Sequence, residues 1–120
     1  MTSSSKYTWH KIADSLRDLH FPETNLMEIT INGKTICLSQ HNGTIHACTQ
    51  KCPHAGGILS EGYHDAMGNI VCPLHRYKFS LQNGRNISGE GFYLKTFPVE
   101  QRDDGIYVGL ADNNLFGWLR

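Results

Sequence analysis

Hydrophobic and polar residues alternate along several short segments of the chain. Met27, Ile29 and Ile31 alternate with two polar residues, which is the period of two expected of a strand with one buried face. Short runs rich in β-branched and aromatic residues predict further strands at residues 7–12, 35–39, 45–49, 69–71, 78–81, 94–101 and 106–110. Only residues 14–19 carry the signal of a helical turn.

Tight-turn dipeptides separate most of these runs. They are Asn32-Gly33, Asn42-Gly43, Asn83-Gly84 and Asp104-Gly105. Turns at intervals of roughly ten residues predict an all-β fold, a sandwich or a barrel. Residues 51–77 break this rhythm, because they hold several glycines and two Cys-Pro pairs but little alternation. Of these glycines, Gly56 and Gly57 are expected to allow a positive φ and a close approach of the backbone. We interpret this region as two loops carried on a β scaffold, which is where functional residues are often found.

Composition limits the classes of function. A length of 120 residues suits one domain, and the formal net charge of zero gives no reason to expect nucleic acid or a membrane as a partner. No apolar run approaches the roughly 20 residues of a membrane span, and the first residues lack the apolar segment of a signal peptide. Two of the four cysteines lie in the irregular region, so we expect a reduced, cytoplasmic protein rather than a disulfide framework.

Two short segments of the irregular region each contain one cysteine and one histidine. They are Cys52-Pro53-His54 and Cys72-Pro73-Leu74-His75, and 17 residues separate His54 from Cys72. Thiolates and imidazoles are ligands of iron and zinc, and each segment can present both of its ligands from one loop. The four side chains could hold an iron–sulfur cluster or a structural zinc ion, although zinc sites usually have a Cys pair followed by a His pair.

This order of ligands resembles the Rieske family. The resemblance extends to Trp9-His10-Lys11-Ile12-Ala13 and to Phe97-Pro98-Val99, and it covers roughly residues 7–110. It implies an all-β fold, in which an antiparallel sandwich or barrel base carries a small two-loop subdomain at about residues 47–82 that binds the cluster. Residues 1–6 would be a disordered tail and residues 111–120 a C-terminal extension.

The resemblance also implies a cofactor and its ligands. A Rieske [2Fe–2S] cluster has two cysteines on one iron and two histidines on the other. By resemblance, Cys52 and Cys72 would ligate the inner iron, and His54 and His75 would ligate the outer iron near the surface.

At several positions the sequence differs from the respiratory branch of the family, and these differences indicate a lower reduction potential. That branch joins its two loops by a disulfide, but the corresponding positions here are Gly57 and Leu74. It also carries two hydroxyl side chains that raise the potential, where this chain has Tyr77 and Phe79. We therefore expect a potential near the lower end of the roughly −150 to +300 mV range of Rieske centres.

The function implied by the resemblance is electron transfer without a catalytic site. We expect a soluble carrier that passes single electrons from a flavin-dependent NAD(P)H reductase to a terminal enzyme, such as a ring-hydroxylating oxygenase or a reductase. Two alternatives are a small subunit of an assimilatory nitrite reductase and a zinc-stabilised interaction domain. The oligomeric state is not predicted.

The cysteines and histidines outside the two loops are expected to have no ligand role. Cys37 and Cys48 lie in predicted strands and are interpreted as buried thiols. The remaining histidines lack paired ligand spacing and are interpreted as structural or surface residues, with His41 in solvent beside its Asn-Gly turn.

Overall fold

The described residues form strands and two short 3₁₀ turns. The computed structural model describes residues 7–53, 56–74, 76–89, 91 and 93–111. The strands are β1 Tyr7–Ala13, β2 Leu26–Ile31, β3 Lys34–His41, β4 Thr44–Thr49, β5 Tyr63–His64, β6 Ile70–Val71, β7 Lys78–Phe79, β8 Thr96–Phe97, β9 Val99–Arg102 and β10 Gly105–Ala111. The 3₁₀ turns are Leu16–Leu19 and Leu59–Glu61. All pairings between these strands are antiparallel, and the predicted all-β class is confirmed.

The chain divides into two compact units. One comprises the described residues of Met1–Leu19 and Pro98–Arg120, and the other those of His20–Phe97. The first unit holds a three-stranded sheet in the order β1-β10-β9. Ile106, Val108 and Leu110 are buried and lie on one face of β10, because every second residue of a strand points the same way.

A four-stranded sheet in the order β2-β3-β4-β8 forms part of the second unit. Its first two hairpins turn at Asn32-Gly33 and Asn42-Gly43, where φ is +50° and +79° in one and +52° and +79° in the other. Two successive positive φ angles define the turn that matches the twist of paired strands, and Asn-Gly is its preferred sequence. Both predicted turns are therefore confirmed, and each fixes the register of its hairpin.

The second unit also contains a smaller sheet, β5-β6-β7. A buried apolar cluster lies within this unit and includes all four cysteines of the chain. Its members are Leu26, Cys37, Cys48, Cys52, Leu59, Ile70, Cys72, Phe79, Leu81 and Leu94. The two cysteine-containing loops therefore start from a common core.

Three details differ from the sequence-based predictions. The strand predicted at residues 94–101 is interrupted at Pro98 and forms β8 and β9, because proline has no N–H to donate to a ladder. β5 was not predicted. The helical turn expected at residues 14–19 is a 3₁₀ turn at Leu16–Leu19.

Other expectations stay predictions. The tail at residues 1–6 and all but the first residue of the extension at 111–120 lie outside the described residues. The cluster-binding subdomain at about residues 47–82 also stays a prediction. None of the helices in the described part of the chain is long and apolar enough to cross a membrane.

Candidate metal centre

The structure brings the two predicted cysteine ligands into one buried cluster. The Cys52 and Cys72 side chains are 3% and 1% exposed, and both belong to the apolar cluster of the second unit. A Cβ atom added to Gly57 of the first loop would lie only 2.9 Å from Sγ of Cys72 in the second. The first loop therefore closely approaches the thiol of the second. His54 and His75, the other two predicted ligands, lie outside the described residues.

Each loop closes on its cysteine through the same pair of backbone hydrogen bonds. In the first loop, Cys52 N–H donates to Gly57 C=O at 2.7 Å, and Gly56 N–H donates to Cys52 C=O at 2.9 Å. In the second loop, Cys72 N–H donates to Tyr77 C=O at 2.9 Å, and Arg76 N–H donates to Cys72 C=O at 2.9 Å. The two cysteines therefore begin closed turns of equal length, each spanning one of the predicted histidine ligands.

The fourth residue after each cysteine has a positive φ. Gly56 adopts +75° and Arg76 adopts +61°. Glycine populates this region without steric cost, whereas a side chain such as that of arginine makes the same conformation strained. The expectation that Gly56 supplies a positive φ is confirmed, but nothing in the sequence pointed to Arg76.

The two loops meet at Gly57 and Leu74. A Cβ at Gly57 would lie 3.1 Å from Cβ of Leu74, so the positions expected to correspond to the respiratory disulfide are neighbours. With glycine and leucine there, no disulfide can form between these two positions. The expected close approach at Gly57 is also confirmed, because any side chain would press against Cys72 Sγ.

Two aromatic residues follow the second loop. Phe79 is fully buried in the apolar cluster, and Tyr77 packs against that cluster. Their ring centroids are 6.5 Å apart. Phe79 has no hydroxyl to donate, so an apolar ring fills the position expected to correspond to a hydroxyl side chain of the respiratory branch.

The donor set fits the cysteine half of a Rieske centre. Iron–sulfur clusters need thiolate ligands, and Cys52 and Cys72 provide two thiols within one apolar surrounding. The side chain missing at Gly57 leaves room beside the Cys72 sulfur. The described residues are therefore compatible with a cluster held between the two loops.

The other two cysteines form a separate pair. Cys37 and Cys48 are opposite each other on β3 and β4, and both side chains are fully buried. A hydrogen bond with Cys37, together with burial, holds the pKa of the Cys48 thiol well above its usual value. Because both side chains are fully buried in the core, the prediction that these residues are packed thiols is confirmed.

Three histidines that the sequence left apart come together in the second unit. The rings of His41 and His64 stack with centroids 5.6 Å apart, and Gly68 leaves the space that the His41 ring occupies. His41 and His46 line a cavity of about 390 Å³. The expectation that His41 is a solvated residue was wrong, because its ring packs against these neighbours.

Burial is the main cause that lowers the pKa of His46 and of His64, and the charge of His41 adds to it in both. His64 Nε2 also lies 2.6 Å from Oγ of Ser39 on β3. No signal in the sequence could have found this group, because its members come from three different strands. Among the described residues, no group of three or more histidine, cysteine or acidic side chains is arranged to hold a metal ion.

Comparison with known proteins identifies a matching family. The model of the Rieske [2Fe-2S] domain matches residues 8–98. The ferredoxin component of a naphthalene 1,2-dioxygenase system from Pseudomonas aeruginosa is 28% identical over 102 residues, which are 84% of this chain and 97% of that protein. A 3-phenylpropionate/cinnamic acid dioxygenase ferredoxin subunit from Photorhabdus laumondii is 32% identical over 78 residues, which are 64% and 74% of the two chains.

Two solved structures with a similar fold come from electron-transfer systems of different kinds. A chain in the complex of reduced oxygenase and oxidised ferredoxin of carbazole 1,9a-dioxygenase is similar with a TM-score of 0.69 and 25% identity, covering 83% of this chain and 91% of that one. A Mycobacterium tuberculosis protein described as a candidate small subunit of an NADH-dependent nitrite reductase has a TM-score of 0.74 and 18% identity, covering 88% and 97%. At 18% identity, the second likeness concerns the fold alone.

Proposed function

Because the chain belongs to the Rieske [2Fe–2S] domain family, we propose that it is a carrier of single electrons in an oxygenase system. Family membership implies a Rieske-type [2Fe–2S] cluster as its cofactor, in place of the alternative zinc ion. The observation that carries the proposal is the family match over residues 8–98, together with relatives that are named as ferredoxin components of dioxygenase systems.

The proposed ligands are Cys52, His54, Cys72 and His75. The burial of both thiols in one cluster and the contact of the two loops at Gly57 support the cysteine assignment. The order and spacing of the four residues support the histidine assignment. When bound, the cluster supplies a centre that accepts and releases one electron.

The residues around the loops hold the ligands and exclude water. The closed turns fix the backbone on both sides of each cysteine, and the apolar cluster surrounds the two thiols. Phe79 places a ring where a hydroxyl would stabilise negative charge on sulfur. We therefore also propose that the cluster has a low reduction potential, near the lower end of the roughly −150 to +300 mV range of Rieske centres.

The proposed electron donor is a flavin-dependent NAD(P)H reductase, and the proposed acceptor is a terminal oxygenase. The acceptor is suggested by the names of the relatives and by the ferredoxin in complex with an oxygenase among the similar structures. Pro53 and Leu74 are exposed on the two loops and offer apolar contact surface beside the proposed ligands. We place this activity in the cytoplasm.

Electron paramagnetic resonance of the dithionite-reduced protein, purified without air from an iron-replete host, tests the proposal. We expect the signal of a cluster with mixed histidine and cysteine ligation, which differs from that of an all-cysteine cluster. The variants His54→Cys and His75→Cys should lower the potential or lose the cluster. A colourless protein that contains zinc would overturn the cofactor assignment. Unchanged spectra in both variants would overturn the ligand assignment.

The nitrite reductase alternative predicts different behaviour on purification. A permanent subunit should co-purify with a large flavin- and sirohaem-containing partner, whereas a shuttle should be isolated alone as a coloured protein. The likeness to the Mycobacterium tuberculosis structure is a likeness of fold and does not favour this alternative.

A further inference from the structure

The base of the first cysteine loop contains a buried polar side chain, that of Gln50. Gln50 lies two residues before Cys52, directly after β4 ends at Thr49, and it is only 7% exposed. Its own C=O accepts a hydrogen bond from Leu59 N–H at 2.8 Å, across the loop. The backbone at this position therefore already connects the two ends of the loop.

The side-chain amide of Gln50 adds three more hydrogen bonds. Its Oε1 accepts from Ser60 N–H at 3.1 Å, and its Nε2 donates to Ser60 Oγ at 2.9 Å and to Glu28 Oε1 at 2.8 Å. An amide has two N–H groups and one carbonyl oxygen to satisfy, and here all of them have partners. One side chain therefore ties β2, the end of β4 and the 3₁₀ turn Leu59–Glu61 together.

The 3₁₀ turn that Gln50 contacts is anchored in the same core as the two thiols. Leu59 is fully buried in the same cluster as Cys52 and Cys72. Ser60, which Gln50 holds, is its neighbour in the chain. A shift of this turn would move both the base of the first loop and the apolar surface against which the two thiols pack.

We propose that Gln50 is a positioning residue for the redox centre, and that it fixes the first loop in the geometry that the cluster requires. This inference rests on the proposed function. Buried polar groups that orient metal ligands influence affinity and potential, and their loss typically costs 10–100-fold in metal affinity. Gln50 acts through the loop, because its side-chain hydrogen bonds go to Glu28 and Ser60.

The test compares reduction equilibria, electron paramagnetic resonance spectra and rates of cluster loss in the full holoprotein. Gln50→Ala removes all three side-chain hydrogen bonds, and we expect cluster loss to be about tenfold faster, with a broadened signal. Gln50→Glu places a carboxylate opposite Glu28, and we expect the reduction equilibrium constant to fall about tenfold, which is about 59 mV for one electron.

A double variant that combines Glu28→Gln with Gln50→Glu separates positioning from charge. It exchanges donor and acceptor between the two side chains, so that the new amide on β2 can donate to the new carboxylate at the loop base, and the net charge is the same as in the wild type. We expect the wild-type spectrum and an equilibrium constant within about twofold of the wild-type value, since this hydrogen bond is restored. Gln101→Glu, at an exposed site on β9, adds the same charge as Gln50→Glu and should change nothing.

The outcomes are distinguishable. A wild type without a Rieske signal would defeat the proposed function itself. A wild type with that signal, and single variants with unchanged spectra, equilibria and rates of cluster loss, would defeat only the role of Gln50. If neither single variant folds, the double variant decides: a wild-type signal supports positioning, and a failure to fold overturns it.

Discussion

The two cysteine loops share a turn but differ in what holds it. Both close through the same hydrogen bonds from and to the cysteine backbone. The second loop continues directly into a regular ladder, in which Val71 of β6 pairs with Lys78 of β7. In the described part of the first loop, the base is closed by an isolated bridge between Lys51 and Ile58 and by the bond from Leu59 N–H to Gln50 C=O. The side chain of Gln50 adds further hydrogen bonds there. The closed turn at each cysteine is therefore a local structure, and so is the hairpin that supports the second loop. The side-chain support of the first loop is a tertiary one.

This difference has a physical consequence. A loop on a hairpin is held by backbone hydrogen bonds, which almost any sequence can make. A loop whose base is also held by a buried amide side chain depends on that residue, because a buried polar group left without a hydrogen bond costs about 1–3 kcal/mol and Gln50 is itself buried. We expect the first loop to be the more sensitive of the two to substitution at its base.

The largest expected effect comes from replacing either cysteine, and it should be equal in the two loops. Cys52→Ser and Cys72→Ser each remove a thiolate, and we expect both proteins to lose the cluster and its visible absorption. Cys48→Ala is the matched control, because Cys48 is as buried as the proposed ligands but pairs with Cys37. Retention of the cluster in either serine variant would contradict the ligand assignment.

The next effect tests the contact between the loops. Gly57→Val should crowd Cys72 Sγ, since even a Cβ at Gly57 would lie 2.9 Å from that atom. Overpacking of this kind typically costs about 1–3 kcal/mol, and we expect lower cluster occupancy, measured as iron per chain. Leu74→Ala, on the other side of the contact, removes an exposed side chain and should leave occupancy unchanged. Equal occupancy in the two variants would show that the loops separate readily.

A smaller effect contrasts the two positive-φ residues. Gly56→Ala should destabilise the protein by about 1 kcal/mol, since alanine is strained at a positive φ. Arg76→Gly removes such strain but adds freedom to the unfolded chain, so we expect stability to stay unchanged or to rise by up to about 1 kcal/mol. Urea unfolding of the two holoproteins measures the difference, and a loss of stability in Arg76→Gly would show that its side chain is needed there.

Local signals explain which parts of the fold were predictable. The Asn-Gly turns were found because their backbone conformation depends on two adjacent residues. Gly57 was recognised because a glycine beside a cysteine loop indicates close approach. The proposed cysteine ligands were selected from their spacing to a histidine within each loop, and the structure shows that their side chains share one buried cluster.

The missed features depend on residues distant in the chain. In the sequence, Gln50 looks like an ordinary polar residue. Its proposed role depends in part on its hydrogen bond to Glu28, which lies 22 residues away in the chain. The stacking of His41 with His64 likewise requires β3 and β5 to meet. No pattern within a single segment contains such contacts, because they arise when strands and loops that are distant in the chain come together.

The smallest predicted effect concerns a hydrogen bond between the two sheets from which the cysteine loops extend. Ser39 on β3 and His64 on β5 are joined at 2.6 Å, so this bond connects the sheet before the first loop to the sheet that carries the second. Burial first, and the charge of His41 second, lower the pKa of His64 below 6.5, against opposing contributions from the Thr24 backbone and Asp65. The unfolded chain therefore takes up a proton on this residue more readily than the folded chain does.

The neutral, half-buried His64 therefore contributes fully to stability above its unfolded pKa of about 6.5. That contribution is lost as the pH falls from this value toward the lower pKa of the folded state. We expect the free energy of unfolding, measured with urea between about pH 5 and pH 7.5, to decrease on acidification. His64→Gln should flatten that dependence, while His10→Gln, in the other unit, should preserve it. An identical slope in His64→Gln would mean that acid acts elsewhere, and that the two loop supports are not coupled through this histidine.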